Sequence, residues 1–482
     1  MEISRLKKVY MIGVKGVGMT MLAQFMAEKG VKVVGSDTAE KFMTDLVLKK
    51  SGVEVIEGFN ALNIPNDANL IIYSTAYNSS NNEELAAAVN GKIRYQSYAE
   101  ALADIFNFHY GVAVCGSHGK TTTTAWLGWV MAQAGKQPNV LVGSRVAQFD
   151  GACLTGTSDT LIIEADEYQN KLRYFHPQVV LLNNIDYDHP DYFKTEADYV
   201  QVFIEFIKKI SSKGLLVTNY DDLMIRKFAA VNCRAKIVSY SIKEEADFVA
   251  YDLRHLNGRQ YFKVKMRVEP DEILADNSAN LEYSDELSDL GDFSISLSGV
   301  HNVYNALSVI ATCIEMGVEL IDIRQHLGTF LGTDRRMEKI GEFNGALIYD
   351  DYAHHPAEIK ATLVGVRQLF PKNELILVFH PHTFTRTKAL LDQFADSFHL
   401  VDELIVLDIY GSAREQHGGV SSRDLIEKIE QLRPNGFAPK YIKHIPGLVE
   451  CEAYLRTRLG KGQVCLLMGA GDVFRIGKNL LK

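Results

Sequence analysis

The chain has 482 residues, a formal net charge of −9, and a composition that is 47% hydrophobic and 23% charged. This length predicts about three domains, because a single hydrophobic core rarely serves more than roughly 250 to 300 residues. The acidic balance argues against a general nucleic-acid or membrane-surface binder, since both depend on clustered Lys and Arg.

Neither a leader nor a membrane span is predicted. The first apolar run is too short for a signal peptide, and no stretch reaches the roughly 18 apolar residues that a spanning helix needs. We therefore expect a cytoplasmic protein that binds neither a membrane nor nucleic acid. The six cysteines are scattered without a CxxC pair, which argues against disulfides and a zinc site.

The first predicted α/β unit covers residues 1–106. A strand at 8–13 leads through a glycine-rich loop into a helix at 19–29, and further strands follow at 31–35 and 70–74. The order strand, loop, helix, strand is typical of a parallel sheet.

The loop of this unit contains Gly13, Gly16 and Gly18, and Asp37 ends the next strand. It resembles a dinucleotide fingerprint, but the spacing GxxGxG differs from GxGxxG and argues against NAD. Contact with a diphosphate at the helix N-terminus is one interpretation. A tight turn without a ligand is the other.

The second unit begins with a strand at 110–115 and the run GSHGKTTTT. In such a loop, backbone N–H groups surround phosphate oxygens, the Lys120 side chain supplies positive charge, and the Thr121 hydroxyl can bind Mg²⁺. The loop departs from the strict P-loop, because Val114 stands where the first glycine belongs and the glycine follows at Gly116. The pattern nevertheless predicts an ATP-phosphate site.

Further strands of this unit are predicted at 161–163, 179–182 and 215–218. Glu164 follows the first of them, where an acid beside a phosphate loop is expected to bind Mg²⁺. His189 follows the second and is either a metal ligand or a structural histidine.

Several acids near these strand ends have no assigned role. Asp166, Glu167 and Asp188 are open between a supporting role and plain surface acids. The stretch 268–292 has nine acids and no Lys or Arg, and we interpret it as a solvated insertion or hairpin arm, with a partner surface as the alternative.

The third unit has predicted strands at 346–349, 375–379, 403–407 and 464–468. The first two strands are followed by DDYAHHPAE and HPHTFTRT, which are dense in His, Asp and Arg. They indicate a site for a polar substrate or a phosphate, whereas helix caps and surface histidines would explain only part of each run.

Eight motifs occur in an order that resembles the Mur ligases: GSHGKTTTT, EADEY, NNIDYDHPDYF, SGVHNVYNALS, GTDRRME, DDYAHHPAE, HPHTFTRT and MGAGD. The resemblance runs from Gly13 to Asp472. It implies an α/β protein of three domains: a Rossmann-like domain for the UDP-sugar at 1–106, a P-loop ATPase-like parallel-sheet domain at 107–334, and a Rossmann-like closing domain at 335–482.

The resemblance also implies the chemistry. ATP, with Mg²⁺, phosphorylates the lactyl carboxylate of UDP-N-acetylmuramate, and the amine of L-alanine attacks the acyl phosphate to give an amide. Lys120 and Mg²⁺ would stabilise the charge on the transferred phosphoryl group.

The matching positions assign roles by resemblance. The catalytic set is Lys120, Glu164, His189, His355 and Arg386, and the metal set is Thr121, Glu164 and His189. The ATP set is Gly116, Ser117, His118, Gly119, Lys120, Thr121, Thr122, His301, Asn302, Asn305, Arg336 and Asp351. The UDP-sugar set is Gly13, Gly16, Gly18, Asp37 and Ser74, and the amino-acid set is His354, His382 and Arg386.

This chain departs from some members of the group at two positions. Thr383 stands in place of a second Arg, and His380 in place of a Gln, so the amino-acid carboxylate is expected to rest mainly on Arg386. Two alternatives stay open: a related Mur ligase that adds a peptide or another amino acid such as Gly or Ser, and a nucleotide-gated binding or redox protein. We expect a monomer or a weak homodimer.

Overall fold

The computed structural model describes residues 1–42, 44–91, 93–267, 287–411, 418–432 and 439–482. These residues form three β-sheets covered by helices, with five, ten and six strands. The α/β class with parallel sheets, predicted from the sequence, is confirmed. None of the helices within the described residues is long and apolar enough to cross a membrane.

The first sheet is entirely parallel, in the order β3-β2-β1-β4-β5. Its strands are β1 (Lys8–Ile12), β2 (Lys32–Asp37), β3 (Glu54–Glu57), β4 (Leu70–Tyr73) and β5 (Tyr95–Ser97), and its helices are α1 (Val17–Glu28), α2 (Asp45–Lys50), α3 (Glu83–Asn90) and α4 (Tyr98–Phe106). The chain leaves β1 in both directions across the sheet, so a crevice forms at the carboxyl end of β1, where α1 begins. The sequence did not predict β3 and β5, which are short and partly exposed.

The central sheet has the order β15-β14-β13-β12-β11-β10-β6-β9-β7-β8. Its strands are β6 (Tyr110–Cys115), β7 (Asn139–Val146), β8 (Gly151–Leu154), β9 (Thr160–Glu164), β10 (Val179–Leu182), β11 (Leu215–Asn219), β12 (Lys236–Ser241), β13 (Phe248–Leu256), β14 (Arg259–Arg267) and β15 (Leu287–Ile295). Its helices are α5 (Lys120–Gln133), α6 (Glu196–Ile207), α7 (Leu223–Asn232), α8 (Val300–Glu315) and α9 (Leu320–Leu327). In the middle, β6 lies between β9 and β10, so the phosphate loop, Glu164 and the segment after Leu182 meet at one edge.

This sheet is mixed rather than purely parallel. The pairs β13–β14, β14–β15 and β7–β8 are antiparallel. The turn between β13 and β14 consists of Asn257 and Gly258, both with positive φ, which is the two-residue hairpin that closes most readily between twisted strands. Most of the acidic stretch, 268–286, lies outside the described residues, and its remaining acids belong to β15 and its turn.

The third sheet has the order β16-β17-β21-β18-β19-β20 and is parallel except for β16. Its strands are β16 (Glu338–Phe343), β17 (Ala346–Asp351), β18 (Glu374–Phe379), β19 (Glu403–Val406), β20 (Tyr441–His444) and β21 (Gln463–Met468). Its helices are α10 (Pro356–Leu369), α11 (Phe384–Ala389), α12 (Leu391–Ala395), α13 (Ser422–Gln431), α14 (Leu448–Arg458) and α15 (Phe474–Leu480). The half-exposed edge strands β16 and β20 were not predicted, because they lack a buried apolar run.

Each sheet lies within one of the three residue ranges expected for the domains, whose boundaries stay predictions. The first two units are joined by hydrogen bonds from Lys29 Nζ to the Gly156 carbonyl, 2.8 Å, and from the Ala152 amide to Gln24 Oε1, 3.1 Å. The third unit contacts the central one at the carboxyl ends of their strands. That junction holds the polar residues singled out in the sequence.

Candidate active site

The loop between β6 and α5 has the backbone that a phosphate loop requires. Gly116 and Gly119 have φ values of 124° and 79°, which only glycine adopts easily. A Cβ at Gly119 would lie 2.5 Å from Asn305 Oδ1, so a larger residue would clash with α8. The His118 amide donates to Asn184 Oδ1 at 2.8 Å and fixes the loop to the segment after β10. The loop therefore presents the N-terminus of α5 to an anion.

Lys120 is held inside this loop by a buried carboxylate. Its Nζ donates to the carbonyls of Gly116 and Ser117 and pairs with Glu167 Oε2 at 2.9 Å. Burial alone would lower the pKa of Lys120, but the negative charge of Glu167 raises it above the ordinary value. Burial opposes ionisation of Glu167 as well, yet Lys120 and His189 bring its pKa down to about 2. The pair is therefore ionised.

The candidate metal ligands lie in two groups, one around Glu164 and one around His189. Thr121 Oγ1 donates to Glu164 Oε1 at 2.8 Å, and the Gly143 amide donates to Glu164 Oε2 at 2.8 Å. His189 does not face Glu164 directly: its Nε2 lies 3.5 Å from Glu167 Oε1. Donor atoms of Asp166, Glu167 and His189 all lie within 4.8 Å of one another. Carboxylate and hydroxyl oxygens are the donors that Mg²⁺ prefers, so Thr121 and the three carboxylates fit that ion.

A cavity of about 270 Å³ extends from the loop toward α8 and the third unit. Among the residues that line it are the predicted ATP residues His118, Gly119, Thr122, His301, Asn302, Asn305, Arg336 and Asp351. Burial and the nearby Arg336 lower the pKa of His301 to about 4, so its ring is neutral. A neutral ring beside two asparagines suits a flat, uncharged group such as a nucleobase.

A second cavity, of about 460 Å³, adjoins the first and is lined by all three units. Val17 comes from the first unit, Lys120 and Glu164 from the central one, and Tyr352 and His354 from the third. Both cavities share Gly119, Arg336 and Glu358. The arrangement provides a space in which a group held by the first unit, a phosphate on the loop and a group held by the third unit can meet.

Glu358, in the first turn of α10, was not among the predicted site residues. Its Oε1 lies 3.3 Å from His118 Nδ1 and 3.6 Å from Arg336 Nη1, and its Oε2 accepts from the His354 amide at 3.1 Å. His118 also lies 3.0 Å from Asp186 Oδ2. Burial alone would lower the pKa of His118, but these two carboxylates raise it to about 9. Glu358 thus connects the phosphate loop to the third unit by charge.

Two residues assigned by resemblance carry structural contacts. Asp351 accepts hydrogen bonds from the amides of Met337 and Ala353 at 2.8 and 2.9 Å. It therefore fixes the chain directly after Arg336 and directly after β17. His355 caps α10 by accepting from the Ala357 amide at 3.3 Å, and its Nε2 lies 3.3 Å from the Tyr187 carbonyl. Its catalytic role stays a prediction.

Arg386 is engaged by an acid of the central unit. Its Nε and Nη2 donate to the two carboxylate oxygens of Asp188 at 2.8 and 3.3 Å, and the residue is only 5% exposed. Arg386 is not among the described residues that line the second cavity, whereas His354 is. His382 stacks on Tyr410 with ring centres 5.6 Å apart. A substrate carboxylate could reach the Arg386 fork only by exchange with Asp188.

The loop of the first unit is held by its own side chains. Asp37 accepts from the Lys15 amide at 2.7 Å, which explains its buried position at the end of β2. Gly16 precedes the first residue of α1. The Ser74 amide donates to the Ile12 carbonyl at 2.9 Å, beside Gly13. The N-terminus of α1 faces the second cavity through Val17.

Gly18 serves a close approach rather than an unusual backbone. A Cβ at this position would lie 2.8 Å from Tyr98 Cζ and 2.9 Å from its hydroxyl oxygen. The ring of Tyr98, at the start of α4, therefore lies directly on the first turn of α1.

Comparison with known protein families finds three consecutive matches. Residues 8–110 match "Mur ligase family, catalytic domain", residues 114–313 match "Mur ligase middle domain", and residues 335–471 match "Mur ligase, glutamate ligase domain".

Curated relatives align over the whole chain. The UDP-N-acetylmuramate-L-alanine ligase of Desulfitobacterium hafniense is 36% identical and covers 98% of this chain and 99% of its own. The ligase of the same name from Clostridium kluyveri is 38% identical, with 98% of each chain covered. Among solved structures, the UDP-N-acetylmuramate-alanine ligase of Thermotoga maritima has a TM-score of 0.77 at 23% identity, with 98% of each chain covered.

Proposed function

The chain belongs to the Mur ligase family, and from this premise we propose that it joins L-alanine to UDP-N-acetylmuramate at the expense of ATP, in peptidoglycan precursor synthesis. Full-length relatives that carry this activity in their names support the substrate pair. The observation that carries the proposal is the second cavity, in which residues of all three units surround Lys120. A ligase with three substrates needs such a common space.

The reaction begins with the carboxylate, which is a poor acyl donor at neutral pH. Transfer of the γ-phosphoryl group of ATP to the lactyl carboxylate gives an acyl phosphate and ADP. Attack by the alanine amine on the acyl carbon then forms the amide, and phosphate leaves with the C–O bonding electrons while the amine loses a proton. The reaction consumes one ATP for each amide formed.

Lys120 and the loop amides account for the first step. The Lys120 ammonium, held among the carbonyls of Gly116 and Ser117, is positioned to interact with oxygens of a phosphoryl group bound at the N-terminus of α5. Because the pKa of Lys120 is raised, its ammonium group is already charged and can stabilise negative charge on the transferred group.

We propose that Thr121 and Glu164 hold Mg²⁺, with His189 and Glu167 as candidates for further contacts. The ion would neutralise charge on the phosphate oxygens when bound. The support is the direct contact between Thr121 and Glu164 at 2.8 Å and the cluster of donor atoms at His189. Burial raises the pKa of Glu164, and a cation at this position would favour its ionised form.

The amino acid enters from the third unit, and we propose that Arg386, with His354 and His382, selects it. A planar guanidinium binds a carboxylate in two parallel hydrogen bonds, which is the geometry that Asp188 has with Arg386. When the alanine carboxylate replaces Asp188 on Arg386, the guanidinium can bind it through the same two hydrogen bonds.

The two alternatives differ in what they require. A sibling that adds a peptide or another amino acid would use the same cavities and differ only in its amine substrate. A nucleotide-gated redox protein would need a dinucleotide on the first loop, and the GxxGxG spacing of that loop differs from the GxGxxG of a dinucleotide fingerprint.

The decisive experiment measures ADP and phosphate release with ATP, Mg²⁺ and UDP-N-acetylmuramate, while the amino acid is varied. Alanine should give the highest kcat/KM, ahead of glycine and serine, and omission of any one substrate should abolish turnover. Turnover that requires a peptide instead of alanine would reassign the chain to the sibling activity. Binding of NAD without amino-acid-dependent turnover would reject the ligase function.

A further inference from the structure

A third cavity, of about 280 Å³, lies between the first and central units, behind the phosphate loop. It is lined by Gly18 of α1, by Tyr98 of α4, and by Lys120 and Glu164 of the central unit. Val17, Lys120, Gly143 and Glu164 line this cavity and the second one alike. The third cavity therefore adjoins the path from the N-terminus of α1 to Lys120.

Most polar side chains of this cavity already have partners. Glu164 accepts from Thr121 and from the Gly143 amide, both at 2.8 Å. Asp166 pairs with Lys171 at 2.5 Å. By contrast, no hydrogen bond among the described residues uses the Tyr98 hydroxyl, although its ring is half-buried.

The position of Tyr98 is built into the fold. Ser97 caps α4 with Glu100 in a reciprocal capping box, which fixes the first residue of that helix. The ring then lies on Gly18, where any larger residue would collide with it. Burial, with Asp166 and Glu164 nearby, raises the pKa of Tyr98, so its hydroxyl stays protonated and can donate a hydrogen bond.

We propose that the Tyr98 hydroxyl donates a hydrogen bond to an oxygen of the sugar-diphosphate part of UDP-N-acetylmuramate, and so positions this substrate between α1 and the phosphate loop. The inference rests on the proposed function, because it takes the nucleotide sugar as the occupant of the path between the two units. Val17 at the N-terminus of α1 and Lys120 both line the third cavity together with Tyr98, so a sugar that links a diphosphate on α1 to a carboxylate near Lys120 lies within reach of the Tyr98 hydroxyl. No other role in the reaction is assigned to this hydroxyl.

The test is Tyr98→Phe, which keeps the ring on Gly18 and removes only the hydroxyl. Calorimetric titration without ATP should show the dissociation constant for UDP-N-acetylmuramate rising about 5- to 20-fold, as expected for the loss of one hydrogen bond to a ligand oxygen. The dissociation constant for ATP should be unchanged. In turnover, the rise should appear in KM for UDP-N-acetylmuramate, with kcat at saturation within about twofold of the wild type.

Tyr95→Phe is the matched control, because Tyr95 lies three residues earlier, at the start of β5, and is exposed. It should bind all substrates like the wild type.

Two results would overturn the inference while leaving the proposed function intact: equal affinity of Tyr98→Phe and wild type for UDP-N-acetylmuramate, or a loss confined to ATP. If the wild-type protein itself fails to bind UDP-N-acetylmuramate, the proposed function fails, and this inference with it.

Discussion

The contact between His118 and Glu358 allows a test of how the third unit is held against the phosphate loop. His118 belongs to the loop, and Glu358 belongs to α10 of the third unit. The histidine lies between Glu358, at 3.3 Å, and Asp186 of its own unit, at 3.0 Å. Glu358→Gln keeps the shape of the side chain and removes the charge, so it isolates the electrostatic part of the contact.

The structure gives the magnitude. The pKa of His118 is raised from 6.5 to about 9, which corresponds to roughly 3 kcal/mol at about 1.4 kcal/mol per pKa unit. Two carboxylates share this effect, so Glu358→Gln should lower the pKa of His118 by about one unit, or roughly 1.4 kcal/mol. Because the folded-state pKa is raised, the stabilisation is complete below pH 6.5 and is lost as the pH rises through about 9.

The assay is an NMR titration of isotopically labelled histidine, with the His118 signal identified by its absence in His118→Gln. Asp186→Asn is the matched variant within the central unit. Thermal unfolding should show a larger difference between wild type and Glu358→Gln at pH 6 than at pH 10. If His118 in Glu358→Gln still titrates near 9 while Asp186→Asn restores an ordinary value, the contact across the units contributes nothing and the reasoning is refuted.

The remaining predictions concern turnover. Lys120→Ala should lower kcat about a hundredfold or more, because one group that stabilises transition-state charge contributes several kcal/mol; wild-type turnover by the folded variant would remove Lys120 from the site. Glu164→Gln should raise the Mg²⁺ concentration needed for half-maximal activity, and an unchanged Mg²⁺ titration would contradict metal binding. Arg386→Lys should raise KM for alanine and leave KM for ATP unchanged, since an ammonium cannot form the two-pronged contact; an equal rise in both would restrict Arg386 to holding Asp188.

Most of the strands that the sequence predicted are buried on both faces. Apolar runs such as Leu161 to Ile163 stand out because helices cover both faces of a parallel sheet. The antiparallel strands β13 to β15 alternate between buried and half-exposed positions, so they give a weaker signal over a longer span. The pair Asn257–Gly258 is the local hairpin signal in this part of the sequence.

The candidate site divides in a similar way. Loop residues such as Lys120 could be assigned from the sequence, because the spacing of glycines, lysine and threonine within one loop reflects one local geometry. The partners Glu167 and Glu358 could not be assigned. Glu167 is only 1% exposed, and nothing in its neighbouring residues distinguishes it from a surface acid. Glu358 meets His118 across 240 positions of sequence, so its role depends on how two units pack.

The two cations of the site are each paired with a carboxylate of the chain. Lys120 is paired with Glu167, and Arg386 with Asp188; Glu167, Arg386 and Asp188 are buried, and the Lys120 side chain is 13% exposed. An anionic substrate that takes over either cation leaves a carboxylate without its partner, which is costly in a buried site. A divalent cation that enters with the nucleotide would offset that cost at Glu167, which is a candidate contact of that ion. Affinity for the nucleotide should therefore depend on Mg²⁺ more strongly than affinity for the amino acid does.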